Sequence, residues 1–544
     1  MEKLTGGYRP YLLLSLLCLF LYLPGLASVP PLDRDESRFI QASRQMLETG
    51  DFVRIQFQGE MRAKKPGGAY WLQAASVSLF ADKTTRETWP YRLPSALAAW
   101  AAVLMTFAYG RQMFGRETAL LGSALLASCL ILVTEAHQGK ADALLLATAV
   151  ATMGPLSRFY MASKGAAPAP GILTALVFWV AIGITILVKG PVIPAVILLA
   201  VLTLVIADKQ AAWLVGLRPL TGIIVAAAIA APWFAAISQA TGGAFVGEAV
   251  KGDLLPKLLG AQESHGGWPG TYLALALVTM WPASLFLLPG LLAAWEQRVR
   301  PQVRFCLAWA GPAWIMFELV PTKLPHYPLP TSPALCLLMA AAILGAAPVL
   351  FHRAIKLWYG LWCLVALALA SVVVAAPVML GEGFALMSIP SALAILLLGG
   401  ATAFLAMQGR MRATALAGLV LAVSSFQVIF EGVLPHLDRM FVSRAAAELV
   451  AIRPHHGPVV VAGYAEPSLV FLLGTDTVLS NGTSAAINLT KGPAYLSLVS
   501  DREETEFQAA AAKALVKPVV VGVVKGFNYS RGKPVTLTAY AVEG

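Results

Sequence analysis

Apolar runs long enough to cross a bilayer recur along most of this 544-residue chain. A helix needs about 20 mostly apolar residues to span the hydrocarbon core. Such runs lie near 10–27, 93–109, 118–133, 141–157, 171–188, 191–207, 220–238, 270–294, 304–320, 327–350, 357–380, 384–407 and 413–430. A single water-soluble core stops growing at about 250–300 residues, so it cannot bury them all. Charged residues are 13% of the chain, where a soluble protein has roughly 25%. Together these exclude a cytosolic enzyme, a disordered chain and a nucleic-acid binder, and leave a polytopic membrane protein. The net charge of +11 is then a matter of which membrane face holds Lys and Arg. The first run follows Lys3 and Arg9 as a signal peptide would, but it is long and a dozen spans follow, so it is read as a span. The five cysteines all sit in apolar runs without a CxxC pair, which predicts neither a disulfide framework nor a thiolate metal site.

Orientation follows from the short loops. With the N-terminus inside, the inner connections hold Arg111/Arg116, Arg158/Lys164, Lys209/Arg218, Arg298/Arg300/Arg304, Arg353/Lys356 and Arg410/Arg412, whereas the short outer loops hold one cation or none. This positive-inside pattern puts the C-terminal end outside the cytoplasm. Three segments interrupt the hydrophobic rhythm: an outer loop at 28–92, a Gly-rich polar segment at 239–269, and a tail from 431 to 544. In the tail, β-like runs at 458–461, 477–480, 516–524 and 535–541 flank an amphipathic helical pattern at 501–515, which predicts a small α/β domain. The expected architecture is an all-α membrane domain of about thirteen helices (1–430) and a small α/β domain outside the membrane (431–544). No internal repeat of the kind that marks duplicated transporters is evident.

The outer loop carries the first chemical candidates. Residues 36–48 suit an amphipathic helix lying in the membrane interface, with Phe39, Ala42, Ser43, Met46 and Leu47 on one face and Arg38, Arg44 and Gln45 on the other. Just before it stand Asp33, Asp35 and Glu36. Clustered carboxylates persist where they bind a cation, pair with Arg or handle protons; a solvated loop or an N-cap at Asp35 accounts for the same spacing. Lys64 and Lys65 precede Tyr70 and Trp71, a pattern that suits either a phosphate at headgroup level or an interfacial anchor. Further polar groups fall at outer span ends: Glu135, His137, Lys140 and Asp142; Lys189; and Lys323, His326 and Tyr327. Of these Lys140 is the least distinctive. Ionisable groups at membrane depth are costly, and convergence on one side suggests a cavity for an anionic headgroup and a polar substrate. Segment 239–269 adds Glu248, Lys251, Asp253, Lys257, Glu263 and His265. Glu263 and His265 are candidates for a divalent metal, but Glu-x-His does not specify a site that needs about three protein ligands. A mobile substrate loop is the simpler reading, which leaves no cofactor certain and a divalent metal as the alternative.

The motifs RDESRF at 34–39, KKPGGAYWLQ at 64–73, Asp142, LVKGP at 187–191 and KLPHYPLP at 323–330 together resemble the membrane glycosyltransferases of the GT-C fold. The resemblance is to the branch holding bacterial lipid A aminoarabinose transferases and relatives of protein O-mannosyltransferases, and it spans nearly the whole chain. It implies transfer of a sugar from a polyprenyl phosphate to a lipid A, glycan or protein acceptor at the periplasmic face of the inner membrane. Asp35 would be the lead catalytic carboxylate, Glu36 its helper and Asp142 a second acidic position. Lys65 and Lys189 would hold the lipid phosphate with Lys64 beside them, and Tyr327 would line the cavity. Tyr70, Lys257, His265, Lys323 and His326 complete the expected substrate contacts. Relatives often read Glu-Lys-Pro where this chain has Lys64-Lys65-Pro66, which weakens a metal proposal. A transporter or flippase of a lipid-linked saccharide is the alternative, disfavoured because such proteins place polar groups near the midplane rather than at outer ends. A scaffold whose tail binds a partner is a third reading.

Overall fold

The computed structural model describes residues 6–256, 260, 266–380, 383 and 386–543. Among these, six helices are long and apolar enough to cross a membrane: Trp89–Phe114, Ile172–Lys189, Pro219–Ala240, Arg353–Met379, Ser388–Met407 and Met411–His436. The helices Asp142–Ser163 and Pro301–Leu319 occupy two further expected runs. The remaining runs form shorter or broken helices. Residues 118–133 bend by 63° between Arg116–Ser128 and Leu130–Ala136. Cys129 is extended there, and the freed N–H of Leu130 donates to the Trp281 carbonyl at 2.8 Å. A neighbouring inter-helix turn can thus repair a break that lipid cannot. The broken helix delivers Glu135 and His137 to one end of the bundle. Large apolar side chains such as Leu173, Leu357 and Leu397 are exposed on the outer helices, as lipid-facing residues are.

The segment between the first and second expected spans folds into the helix Asp35–Thr49, a short hairpin of β1 (Gln56–Phe57) and β2 (Glu60–Met61), and the helix Gly68–Phe80. The amphipathic pattern is real, but the helix does not lie on lipid. Both its faces are covered by protein: Phe39, Ala42 and Met46 face the bundle, while Arg44 and Gln45 are buried as well. Arg44 pairs with Glu48 at 2.7 Å and donates to the Phe471 carbonyl at 2.8 Å, so the tail covers the polar face. Two glycines permit the close packing. A Cβ on Gly139 would sit 2.7 Å from Ile40, and one on Gly68 would sit 2.8 Å from the Leu187 carbonyl.

The tail holds a five-stranded sheet of order β4-β3-β5-β7-β6, from Val460–Ala462 (β3), Val478–Ser480 (β4), Ser497–Ser500 (β5), Pro518–Asn528 (β6) and Lys533–Val542 (β7). β4, β3 and β5 run parallel, and β7 pairs antiparallel with both β5 and β6. Alternation along β3 makes the layers. Val459 and Val461 pack with Val442, Ala446 and Leu469 on one face. Val460 and Ala462 pack with Ala485, Leu489 and Phe507 on the other. Four of these strands fall where β-like runs are expected. β5 was not expected, because SLVS is short and buried on both faces, so it shows no alternation.

Candidate functional site

A cavity of about 540 Å³ opens among the ends of the bundle helices under the 28–92 segment. Asp35 and Arg34 enter from the start of the helix Asp35–Thr49, and Arg62, Lys64 and Lys65 from the turn before Gly68–Phe80. Lys140 and Asp142 come from the start of Asp142–Ser163, Lys189 from the last turn of Ile172–Lys189, and His326 and Tyr327 from the loop after Pro301–Leu319. Thus Asp35, Lys64, Lys65, Asp142, Lys189, His326 and Tyr327, far apart in sequence, share one chamber. Its other side is apolar, with Leu145, Val192, Phe234, Phe245 and Phe317.

The polar wall is a network of ion pairs. Lys189 donates to Asp142, whose other oxygen lies 3.9 Å from Lys140. Lys140 pairs with Glu135 at 3.0 Å. His326 sits between the two acids, 3.5 Å from each. Lys189 also lies 5.7 Å above the Tyr327 ring, and Lys65 is 3.2 Å from Asp253. Asp35 is more open, with 53% of its side chain exposed, and faces Arg62 at 3.9 Å. Burial works against its charge, but Arg62, Lys140 and Lys65 outweigh burial and hold the carboxyl below the usual Asp range. Six cationic side chains and three carboxylates line the cavity among the described residues. An excess of ammonium and guanidinium groups beside an apolar wall fits an anionic headgroup on an apolar chain.

Glu135, Asp142 and His326 bring one ligand atom each within 4.8 Å of one another, which is the donor set a divalent ion takes. Lys140 and Lys189 already neutralise both carboxylates, so an ion entering there must displace an ammonium. The expected metal candidates Glu263 and His265, and the substrate candidate Lys257, lie outside the described residues.

Three expected site residues stand elsewhere. Glu36 does not reach the cavity: its side chain is wholly buried against Arg92, at 2.7 Å, and accepts from the N–H groups of Leu32 and Gly139. Tyr70 is buried with its ring stacked 4.8 Å from Phe39 and its hydroxyl 3.3 Å from Arg62, so it supports the wall from behind. Lys323 turns away to bond the carbonyls of Phe317 and Val320, closing the helix Pro301–Leu319. Asp253 of the segment 239–269 lines the cavity, as do Arg34 and Arg62, which sequence reasoning missed. Arg62 carries no motif; only its place between Asp35 and the two lysines marks it.

Residues 11–241 match the family described as dolichyl-phosphate-mannose-protein mannosyltransferase. The chain is 30% identical over 364 residues to the undecaprenyl phosphate-alpha-4-amino-4-deoxy-L-arabinose arabinosyl transferase of Aeromonas hydrophila. That match spans 65% of this chain and 65% of the relative's length. The enzyme of the same name from Serratia proteamaculans is 29% identical over 379 residues, 68% of this chain and 66% of that one. Among solved structures, ArnT from Cupriavidus metallidurans bound to undecaprenyl phosphate superposes with a TM-score of 0.75 at 18% identity, over 98% of both chains. An Archaeoglobus fulgidus oligosaccharyltransferase superposes with a TM-score of 0.50 at 12% identity, over 95% of this chain and 69% of that one.

Proposed function

We propose that this chain, which has the GT-C fold and carries a mannosyltransferase-family segment at 11–241, transfers a sugar from undecaprenyl phosphate or a similar polyprenyl phosphate. The acceptor is lipid A, another glycan or a protein, at the periplasmic face of a bacterial inner membrane. Thirteen spans, with the N-terminus cytoplasmic and the tail periplasmic, complete this reading, with 1–430 as the transferase domain and 431–544 as the tail domain.

The observation that carries it is the juxtaposition of an exposed, ionised carboxylate at Asp35 with Lys65, Lys189 and Arg62 in one chamber that also has an apolar wall. Each part has work in the reaction. Lys65 and Lys189 bind the lipid phosphate, and the apolar wall takes the first isoprene units. An acceptor oxygen attacks the anomeric carbon as the bond from that carbon to the phosphate oxygen breaks. The electron pair leaves on the phosphate, where lysine charge stabilises it. Asp35 removes the proton from a hydroxyl acceptor. With a phosphate acceptor, already ionised, it orients the nucleophile and stabilises positive charge on the sugar. A single displacement inverts the anomeric centre. Asp142 and Glu135 keep Lys189 and Lys140 in place.

Mass spectrometry of surface lipids and glycans from cells with and without the gene tests this. Loss of one sugar residue, with its undecaprenyl-phosphate donor accumulating, is the expected result. Unchanged glycans would contradict it, and reconstituted protein that moves a lipid-linked sugar across liposomes without transferring it would favour the flippase instead.

A further inference from the structure

The tail sheet turns the carboxyl end of its parallel strands toward the outer loop, as its topology and contacts show. β4, β3 and β5 are parallel, and the helix Pro467–Leu473 after β3 and the helix Glu504–Lys513 after β5 cover opposite faces, so β3 and β5 flank a topological switch point. In sheets of this kind the loops beyond the carboxyl ends of the strands at the switch point form the binding crevice. Because β7 runs antiparallel to β5, the β6–β7 turn at 529–532 lies at this same end. What occupies the crevice is a segment of the same chain: Asp33 and Arg34, the two residues before Asp35.

The contacts are specific. The Asp33 N–H donates to the Tyr529 hydroxyl at 2.6 Å, and the Ser468 N–H donates to the Asp33 carboxylate at 3.2 Å. The Arg34 guanidinium donates to the Ser530 carbonyl. Glu466 accepts from Asn528 at 2.8 Å, tying the two tail loops to each other. Arg34 has φ 64°, a left-handed value that a non-glycine residue adopts only when its surroundings impose it. This backbone turn is what directs the next residue, Asp35, toward the cavity while Glu36 faces Arg92. An apolar plug fixes the tail in register: Phe471 packs edge-on to Tyr91 at 5.5 Å, beside Ile40 and Leu47.

We propose that the tail is a positioning element for the transfer reaction, its loops at 464–468 and 528–531 clamping Asp33 and Arg34 so that the Asp35 carboxylate points at the bound sugar. This rests on the glycosyltransferase reading for its catalytic meaning, whereas the clamp itself does not. Tyr529 and Asp33 act through Asp35 and touch no substrate.

The test uses the full chain in nanodiscs, with Tyr529→Phe, Asp33→Ala and Asp33→Asn. The Asp33→Asn variant keeps the acceptor oxygen for the Ser468 N–H and so serves as the rescue. Turnover with an undecaprenyl-phosphate sugar donor is compared with binding of undecaprenyl phosphate and with hydrogen exchange of peptide 30–38. Tyr529→Phe and Asp33→Ala are expected to lower kcat about tenfold to a hundredfold, the cost of aiming a catalytic group badly, with donor KM and lipid binding within about twofold. Peptide 30–38 exchanges faster in both, the β3 and β5 peptides are unchanged, and Asp33→Asn retains most of the turnover. Unchanged turnover beside a loosened loop, a change confined to KM, or unchanged exchange of 30–38 overturns the proposal. A wild-type chain that transfers no sugar, while these variants loosen the loop, overturns the glycosyltransferase reading and leaves the clamp standing.

Discussion

Asp35 and Glu36 are neighbours in sequence with opposite fates. Glu36 points into the bundle, where Arg92 meets both its oxygens and backbone N–H groups fill the rest. It holds the outer loop to the helix Trp89–Phe114 and is structural. Breaking a buried pair on one side leaves an uncompensated charge, so Glu36→Ala should cost about 3–5 kcal/mol, seen as a lower melting temperature in detergent. A variant with wild-type stability but no activity would instead place Glu36 in the chemistry. Asp35 stays exposed and cation-flanked. A depressed pKa keeps the carboxylate present at neutral pH and loses it only as pH falls through a value below the ordinary figure of about 3.9. The acid limb of the transfer rate due to Asp35 should therefore lie below about pH 4 in a pH–rate profile. A limb near pH 6 would contradict the cation-rich surroundings described for it.

Among the elements, the contact between tail and outer loop carries a group that titrates near neutral pH. Burial under the tail pushes the Asp33 carboxyl up to about 7, and the charge of Glu466 adds to this, while hydrogen bonds from Ser468 and Tyr529 oppose it. Arg34 bonds Ser530 beside it, Arg531 stands 3.9 Å from Glu466, and Tyr464 lies behind. A raised pKa means that the neutral acid docks better. The docking contribution is complete below the ordinary Asp value of about 3.9 and is lost as pH rises through about 7. Hydrogen exchange of peptide 30–38, corrected for intrinsic rate, should show less protection at about one unit above pH 7 than at one below in the wild type, and no such difference in Asp33→Asn. Equal protection on both sides in the wild type would remove Asp33 as the titrating group.

For the molecule as a whole, what could be read in advance follows from which signals are local. Apolar runs and a period-two pattern are local, so the helical membrane body and most tail strands were legible. So was the convergence of Asp35, Lys65, Asp142, Lys189, His326 and Tyr327 on one chamber. Direction is not local. Nothing in KLPHYPLP says that Lys323 turns back to cap a helix while His326 goes forward, and nothing in RDESRF says that Glu36 turns inward. Arg62 was missed because it matters only through a partner remote in sequence. The amphipathic helix looked lipid-facing because its polar side is covered by a segment more than 400 residues later in the chain, at Phe471.

The central claim is that one chamber both grips a lipid phosphate and activates the acceptor, using different residues. It is tested most directly by measuring undecaprenyl phosphate binding and sugar transfer side by side in Asp35→Asn and Lys65→Ala. Asp35→Asn should bind the lipid as the wild type does and transfer nothing measurable, while Lys65→Ala should bind about tenfold or more weakly, as loss of a charge-assisted phosphate contact predicts. Transfer at the wild-type rate by Asp35→Asn would contradict it.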